Sequence, residues 1–139
     1  MDVNPPGILI VEDDDEIRRL LALVLRLEGY RVDEAADGNA ALDQFVAKRE
    51  RISMVLTDLG LPGLGGLDLI RALRDAAPEV PVVGASGFGH ANMRDEVLAA
   101  GGTEFLSKPF VTGDLVALVR RLAGPPEAPD RDVAPTDRP

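Results

Sequence analysis

The chain has 139 residues, enough for one domain around a single core, and it is 45% hydrophobic but only 4% aromatic, so that core is aliphatic. A net charge of −9 argues against a surface for nucleic acid or anionic lipid, and the lack of cysteine excludes disulfides and thiolate chemistry and fits a reducing cytoplasm. The first residues show no signal-peptide pattern, and no apolar run approaches the roughly 18 residues of a membrane span.

Short apolar runs alternate with amphipathic stretches five times, the pattern of βα units feeding a parallel sheet. Residues 1–6 form an N-terminal extension. The run 8–11 is the first strand, continuous in apolar residues as a buried parallel strand should be. The first helix is expected after Asp15, with Asp15 as N-cap and Glu16 in the first turn. Leu20, Leu21, Val24, Leu25 and Leu27 mark its apolar face, and Gly29 stops it. Residues 30–35 read as strand two, 39–48 as helix two and 52–57 as strand three. The loop Leu61-Pro62-Gly63-Leu64-Gly65-Gly66 leads to helix three at 67–76, ended by Pro78. Strand four spans 81–85, helix four 91–100 with Gly101-Gly102 behind it, strand five 104–107 and the last helix 111–122. The folded unit is therefore 7–123. From Gly124 the composition turns to Pro, Glu, Asp and Ala, which bury too little apolar area to offset ordering entropy, so 124–139 is expected to be a disordered tail or linker.

Four chemically special positions fall at strand ends, where ligands of open α/β sheets bind. Glu12-Asp13 follow the first strand, Asp58 the third, Ser86 the fourth and Lys108 the fifth. Three carboxylates gathered there would suit a hard divalent cation such as Mg²⁺, with Asp13 and Asp58 as direct oxygen ligands and Glu12 reaching it directly or through water. Such a cation relieves the repulsion among the acids and leaves Asp58 usable as a nucleophile. Phosphoryl transfer needs positioning and neutralised equatorial oxygens, for which the metal, the Lys108 ammonium and the Ser86 hydroxyl are suited. Plainer roles compete: a turn former at Asp58, helix-start acids at Asp14, Asp15 and Glu16, a solvated turn lysine at Lys108, a cap at Ser86, core packing at Phe105. His90, the one histidine, is expected to be solvent-exposed and not a phosphohistidine.

The segments Ile8-Leu9-Ile10-Val11-Glu12-Asp13-Asp14, Leu56-Thr57-Asp58-Leu59-Gly60-Leu61-Pro62-Gly63, Pro81-Val82-Val83-Gly84-Ala85-Ser86-Gly87 and Ala100-Gly101-Gly102-Thr103-Glu104-Phe105-Leu106-Ser107-Lys108-Pro109-Phe110 resemble the receiver domain of two-component response regulators and hybrid sensor histidine kinases. The resemblance covers residues 7–123. It implies a doubly wound, flavodoxin-like α/β fold with five parallel strands in the order 2-1-3-4-5 and five helices. It further implies that Asp58 is the phosphoacceptor, taking a phosphoryl group from a phosphohistidine of a sensor histidine kinase or histidine phosphotransfer protein. Glu12 and Asp13 become the acidic pair, and Asp13, Asp58 and the Gly60 carbonyl ligands of Mg²⁺ or Mn²⁺. Lys108 would pair with the phosphoryl oxygens, Ser86 would swing in to bond one of them, and Phe105 occupies the switch-aromatic position. The Lys108–Pro109 peptide would be cis, a form restricted in practice to bonds before proline.

Three departures from the family pattern stand out. Gly60 has no side chain to shield or orient water, Gly84, Gly87 and Gly89 flank Ser86 and predict a mobile loop, and Gly65 replaces a polar residue. The only enzymatic activity this reading implies is self-phosphorylation and autodephosphorylation. No helix-turn-helix follows residue 123 in this sequence, so output is expected through protein contacts or a homodimer at helix 4, strand 5 and helix 5, without direct nucleic-acid contact. The chain would be a stand-alone regulator or the receiver of a hybrid sensor kinase. Two other readings stay open: an unphosphorylated pseudo-receiver that only docks, and a metal-dependent phosphohydrolase, although the latter usually needs a second acid near its nucleophile and Gly60 stands there.

Overall fold

The apolar run Gly7–Val11 is buried along its whole length because it forms the inner strand β1 of a five-stranded sheet. The computed structural model describes residues 5–87 and 92–126. After β1 come α1 (Asp15–Leu27), β2 (Arg31–Ala35), α2 (Gly38–Ala47), a 3₁₀ turn (Arg49–Arg51), β3 (Met54–Asp58), α3 (Gly66–Ala76), β4 (Val82–Ser86), α4 (Met93–Ala99), β5 (Glu104–Ser107) and α5 (Thr112–Ala123). All strand pairs are parallel and the order is β2-β1-β3-β4-β5, the doubly wound arrangement that the family resemblance implies. The order reverses between β1 and β3, and their carboxyl ends open the crevice in which such sheets hold ligands.

Alternate strand residues feed two aliphatic layers. Leu9, Val11, Val55 and Val82 pack with Phe45 of α2, Leu69 and Leu73 of α3 and Val97 of α4. Ile8, Ile10, Met54, Leu56 and Val83 pack on the other side with Leu21 and Leu25 of α1 and Leu115 and Val119 of α5.

The helix and strand ends differ from the sequence expectations by at most two residues, and strand five by none; some of the differences bear on the site. Asp14, not Asp15, caps α1: its backbone is extended and its carboxylate accepts the Ile17 N–H at 3.0 Å. The expected apolar face is also rotated, since Leu20 and Leu27 are exposed, whereas the buried line is Arg18, Leu21, Ala22 and Leu25. Gly29 does end the helix, its N–H bonding Arg26 O and the Tyr30 N–H bonding Leu25 O, the paired bonds of a Schellman stop.

β3 starts later than expected, because Ile52 closes the 3₁₀ turn and the Ser53 N–H goes to Gly7 O. Asp58 and Ser86 are the last residues inside their strands, in register with Ala85 and Ser107 respectively. Gly84 is no loop hinge: it lies buried in β4, where a Cβ would sit 3.0 Å from both Leu59 Cδ2 and Val97 Cγ2. Gly89, His90 and the expected helix start at Ala91 lie outside the described residues, as do 1–4 and the tail 127–139. Neighbouring residues hold both ends of the described chain: the Arg31 N–H donates to Pro6 O at 3.1 Å and the Tyr30 hydroxyl to Gly124 O at 2.8 Å.

Candidate functional site at the carboxyl end of the sheet

Glu12 leaves β1 with its N–H on Ala35 O of β2. Its side chain turns into the crevice and is only 5% exposed. A carboxylate so buried needs partners, and it has two: Oε1 accepts from Lys108 Nζ at 2.9 Å and Oε2 from the Asp14 N–H at 3.1 Å. Asp13 is exposed beside it. Asp58 ends β3 with Oδ1 accepting from Lys108 Nζ at 3.0 Å and Oδ2 from the Gly60 N–H at 3.2 Å. Oxygens of Glu12, Asp13 and Asp58 all lie within 4.8 Å of one another. Three carboxylates and no nitrogen or sulfur donor form a set that fits a hard, oxygen-preferring cation.

The backbone around Asp58 is held from two sides. The Thr57 hydroxyl, fully buried, donates to Asp58 O at 2.9 Å. The first turn of α3 comes so close that a Cβ on Gly66 would lie 2.6 Å from that same oxygen and 2.5 Å from Leu59 Cα. Only glycine fits there without moving the residue that carries the Asp58 side chain.

Lys108 follows β5, with its N–H on Ser86 O at 3.0 Å and a cis peptide to Pro109. Burial works against its charge, but the hydrogen bonds and attraction of Glu12 and Asp58 outweigh that, and the ammonium's pKa is raised above its ordinary value. Ser86 is buried at the end of β4, one register step beyond the residue opposite Asp58. Phe105 is half-buried in β5 against the core, with the Arg94 guanidinium of α4 over its ring at 5.9 Å. Gly60 is exposed, and a side chain there would meet Asp58 Oδ2 at an ordinary 3.6 Å, so its absence is not forced by space.

The crevice thus gathers Glu12, Asp13, Asp58 and Lys108, with Ser86 joined through the backbone of Lys108, whereas Phe105 belongs to the face formed with α4. Arg18 escaped the sequence reading. Its guanidinium, on α1, donates from Nη1 to Glu12 O at 2.8 Å. The signal was available: Arg18 stands three, four and seven residues before Leu21, Ala22 and Leu25, on the buried line, where a charged side chain needs a reason.

Comparison with known proteins agrees with this geometry. The family model described as response regulator receiver domain matches residues 8–120. The chain is 41% identical over 122 residues to the alkaline phosphatase synthesis transcriptional regulatory protein SphR of Synechococcus elongatus, covering 83% of this chain and 48% of that protein. It is 37% identical over 120 residues to the transcriptional regulatory protein PrrA of Mycobacterium tuberculosis, covering 86% and 51%. The chain therefore spans about half the length of the curated relatives it matches. Among solved structures, a putative response regulator from Chloroflexus aurantiacus aligns with a TM-score of 0.79 at 32% identity, over 86% of this chain and 98% of that one. A response regulator receiver domain protein from Clostridium thermocellum aligns at 0.81 and 25% identity, over 85% and 94%.

Proposed function

The chain belongs to the response regulator receiver domain family, and on that footing we propose that Asp58 accepts a phosphoryl group from a phosphohistidine of a sensor histidine kinase or histidine phosphotransfer protein. The observation that carries this reading is the shared lysine: Lys108 Nζ bonds Glu12 and Asp58 at once, at the open end of β1 and β3. An Asp58 oxygen attacks phosphorus, the P–N bond to the imidazole breaks, and the imidazole leaves with the electron pair and takes up a proton. Glu12, Asp13, Asp58 and the Gly60 carbonyl would hold Mg²⁺ or Mn²⁺, which when bound neutralises charge on the phosphoryl oxygens. Lys108 moves one of its donors from carboxylate to phosphoryl oxygen, and the Ser86 hydroxyl bonds a second oxygen. These bonds draw on β4 and the start of the loop into α4, and so bias Phe105 and the face of α4, β5 and α5 that meets a protein output partner or a second copy. Water hydrolyses the acyl phosphate and resets the switch. The setting is cytoplasmic; among the described residues no helix is long and apolar enough to cross a membrane.

Incubation with acetyl phosphate and Mg²⁺, followed by intact-mass measurement, tests the assignment. Wild type gains one phosphate-sized increment and Asp58→Asn gains none, since an amide forms no acyl phosphate. No increment in wild type, with a donor kinase also failing, leaves a docking module; a wild-type increment in Asp58→Asn moves the acceptor elsewhere.

A further inference from the structure

Arg18 is 9% exposed, and a guanidinium so deeply placed must recover its lost hydration from its neighbours. It does so from three parts of the chain: Glu12 O after β1 at 2.8 Å, the Glu34 carboxylate near the end of β2 at 3.3 Å, and the Asp15 carboxylate at the start of α1 at 2.7 Å. Glu34 is itself held, with Arg26 Nη1 on its other oxygen at 3.2 Å and Gln44 Nε2 on its carbonyl. The fork of Arg18 thus ties a fixed carboxylate of β2 to one particular backbone oxygen. That oxygen belongs to the peptide joining Glu12 to Asp13.

We propose that Arg18 is a positioning residue for the acidic pair: it fixes the Glu12–Asp13 peptide plane so that the three carboxylates keep the spacing a divalent cation requires. Glu12 has its own anchors in Lys108 and the Asp14 N–H. Asp13 is exposed, and the direction of its side chain follows the peptide plane before it. Mg²⁺ demands near-ideal octahedral geometry, so a small rotation of that plane is felt at the metal. Groups that orient ligands without touching the metal commonly change its affinity by about 10–100-fold. The inference rests on the cation-binding reading above, but it concerns a residue outside that set of ligands.

Charge and geometry act in opposite directions here, which makes the proposal decidable. A guanidinium behind an acidic cluster disfavours a second cation, so if charge were its main effect, Arg18→Gln would tighten Mg²⁺ and Arg18→Lys would match wild type. If the fork positions the peptide, both variants weaken Mg²⁺, because lysine keeps the charge and loses the fork.

The experiment is a Mg²⁺ titration of the full chain followed by the amide shifts of Asp13 and Gly60, with melting temperature in chelator measured alongside. Dissociation constants raised about tenfold in Arg18→Gln and Arg18→Lys, and raised less in Glu34→Gln, are expected. Faster amide exchange at Asp13 and Asp14 in the metal-free Arg18 variants is expected with it. An unchanged constant, however far the melting temperature falls, overturns the proposal in favour of a purely structural arginine; tighter binding in Arg18→Gln overturns it in favour of a charge effect. If Arg18→Gln does not fold, Arg18→Lys and Glu34→Gln decide by the same criteria. A wild type that binds no Mg²⁺ overturns the cation-binding reading and this inference together, whereas wild-type binding that Arg18 variants leave alone overturns only the inference.

Discussion

Replacing Lys108 by methionine keeps the length of the side-chain stem and removes the ammonium that bonds Glu12 at 2.9 Å and Asp58 at 3.0 Å. At an effective dielectric of about 20, each such charge pair carries roughly 4 kcal/mol of attraction before dehydration is counted. Breaking a buried pair by removing one partner costs about 3–5 kcal/mol. The lysine side chain is 23% exposed, so water recovers part of that. A loss of about 2–4 kcal/mol is expected for the metal-free protein. The Lys108 pKa is raised, since its two carboxylate bonds outweigh burial. Its contribution is therefore complete below the ordinary lysine value of 10.5 and disappears only as pH climbs through the higher folded value. The gap between variant and wild type stays constant from neutral pH up to about 10.5, narrows above it, and has closed once pH passes the folded value. Urea denaturation in chelator measures the gap as a fall in midpoint at constant slope. Adding Glu12→Gln to the variant should be non-additive by about 1–3 kcal/mol, as expected for residues in contact. A Lys108→Met protein as stable as wild type, or strict additivity with Glu12→Gln, would refute the idea that this ammonium holds the crevice together.

Gly66→Ala should lose about 1–3 kcal/mol in thermal or urea unfolding, because its Cβ meets backbone atoms of Asp58 and Leu59 that have nowhere to go; Gly65→Ala next to it, with nothing within 4 Å, is the control, and equal losses would contradict the packing. Tyr30 is the single tyrosine in a chain without tryptophan, so its phenolate absorbance titrates alone. Burial raises its pKa above 10.0, with Arg120 opposing and Glu28 adding to the shift; the stability tied to it is present below 10.0 and lost as pH rises through the folded value. A native midpoint at or below 10.0 would contradict that environment.

Much of the fold is visible in the chain because parallel strands are buried on both faces and so read as unbroken apolar runs: the inner strands β1 and β4 are buried at every position. The crevice acids are visible for a related reason, since polar residues directly after such runs have one place to go. What stayed hidden was set by details that hydrophobicity does not encode. Asp14 and Asp15 are equally good caps by type, and backbone geometry alone gives the role to Asp14 while Asp15 pairs with Arg18. The leucines of α1 run all round the helix, so counting them could not separate exposed Leu20 and Leu27 from buried Leu21 and Leu25. Arg18 is on the buried side of that helix because of three oxygen partners, two of which lie in other segments of the chain. Gly84 read as a source of flexibility, whereas Leu59 and Val97 close over it and use its lack of a side chain for contact.

Tyr30 and Arg31 hold Gly124 and Pro6 at the amino end of the strands, opposite the acids. The entry and exit of the fold are therefore side by side, and a chain passing through the domain returns almost to where it entered. Such a layout accepts insertion between other modules, or rejoining of its ends by a short linker with new termini opened in a surface loop, without crossing the crevice. A rearranged chain with 6 and 124 bridged in this way would carry Glu12, Asp58 and Lys108 in the same relative positions, their meeting decided by the sheet and not by where the chain begins.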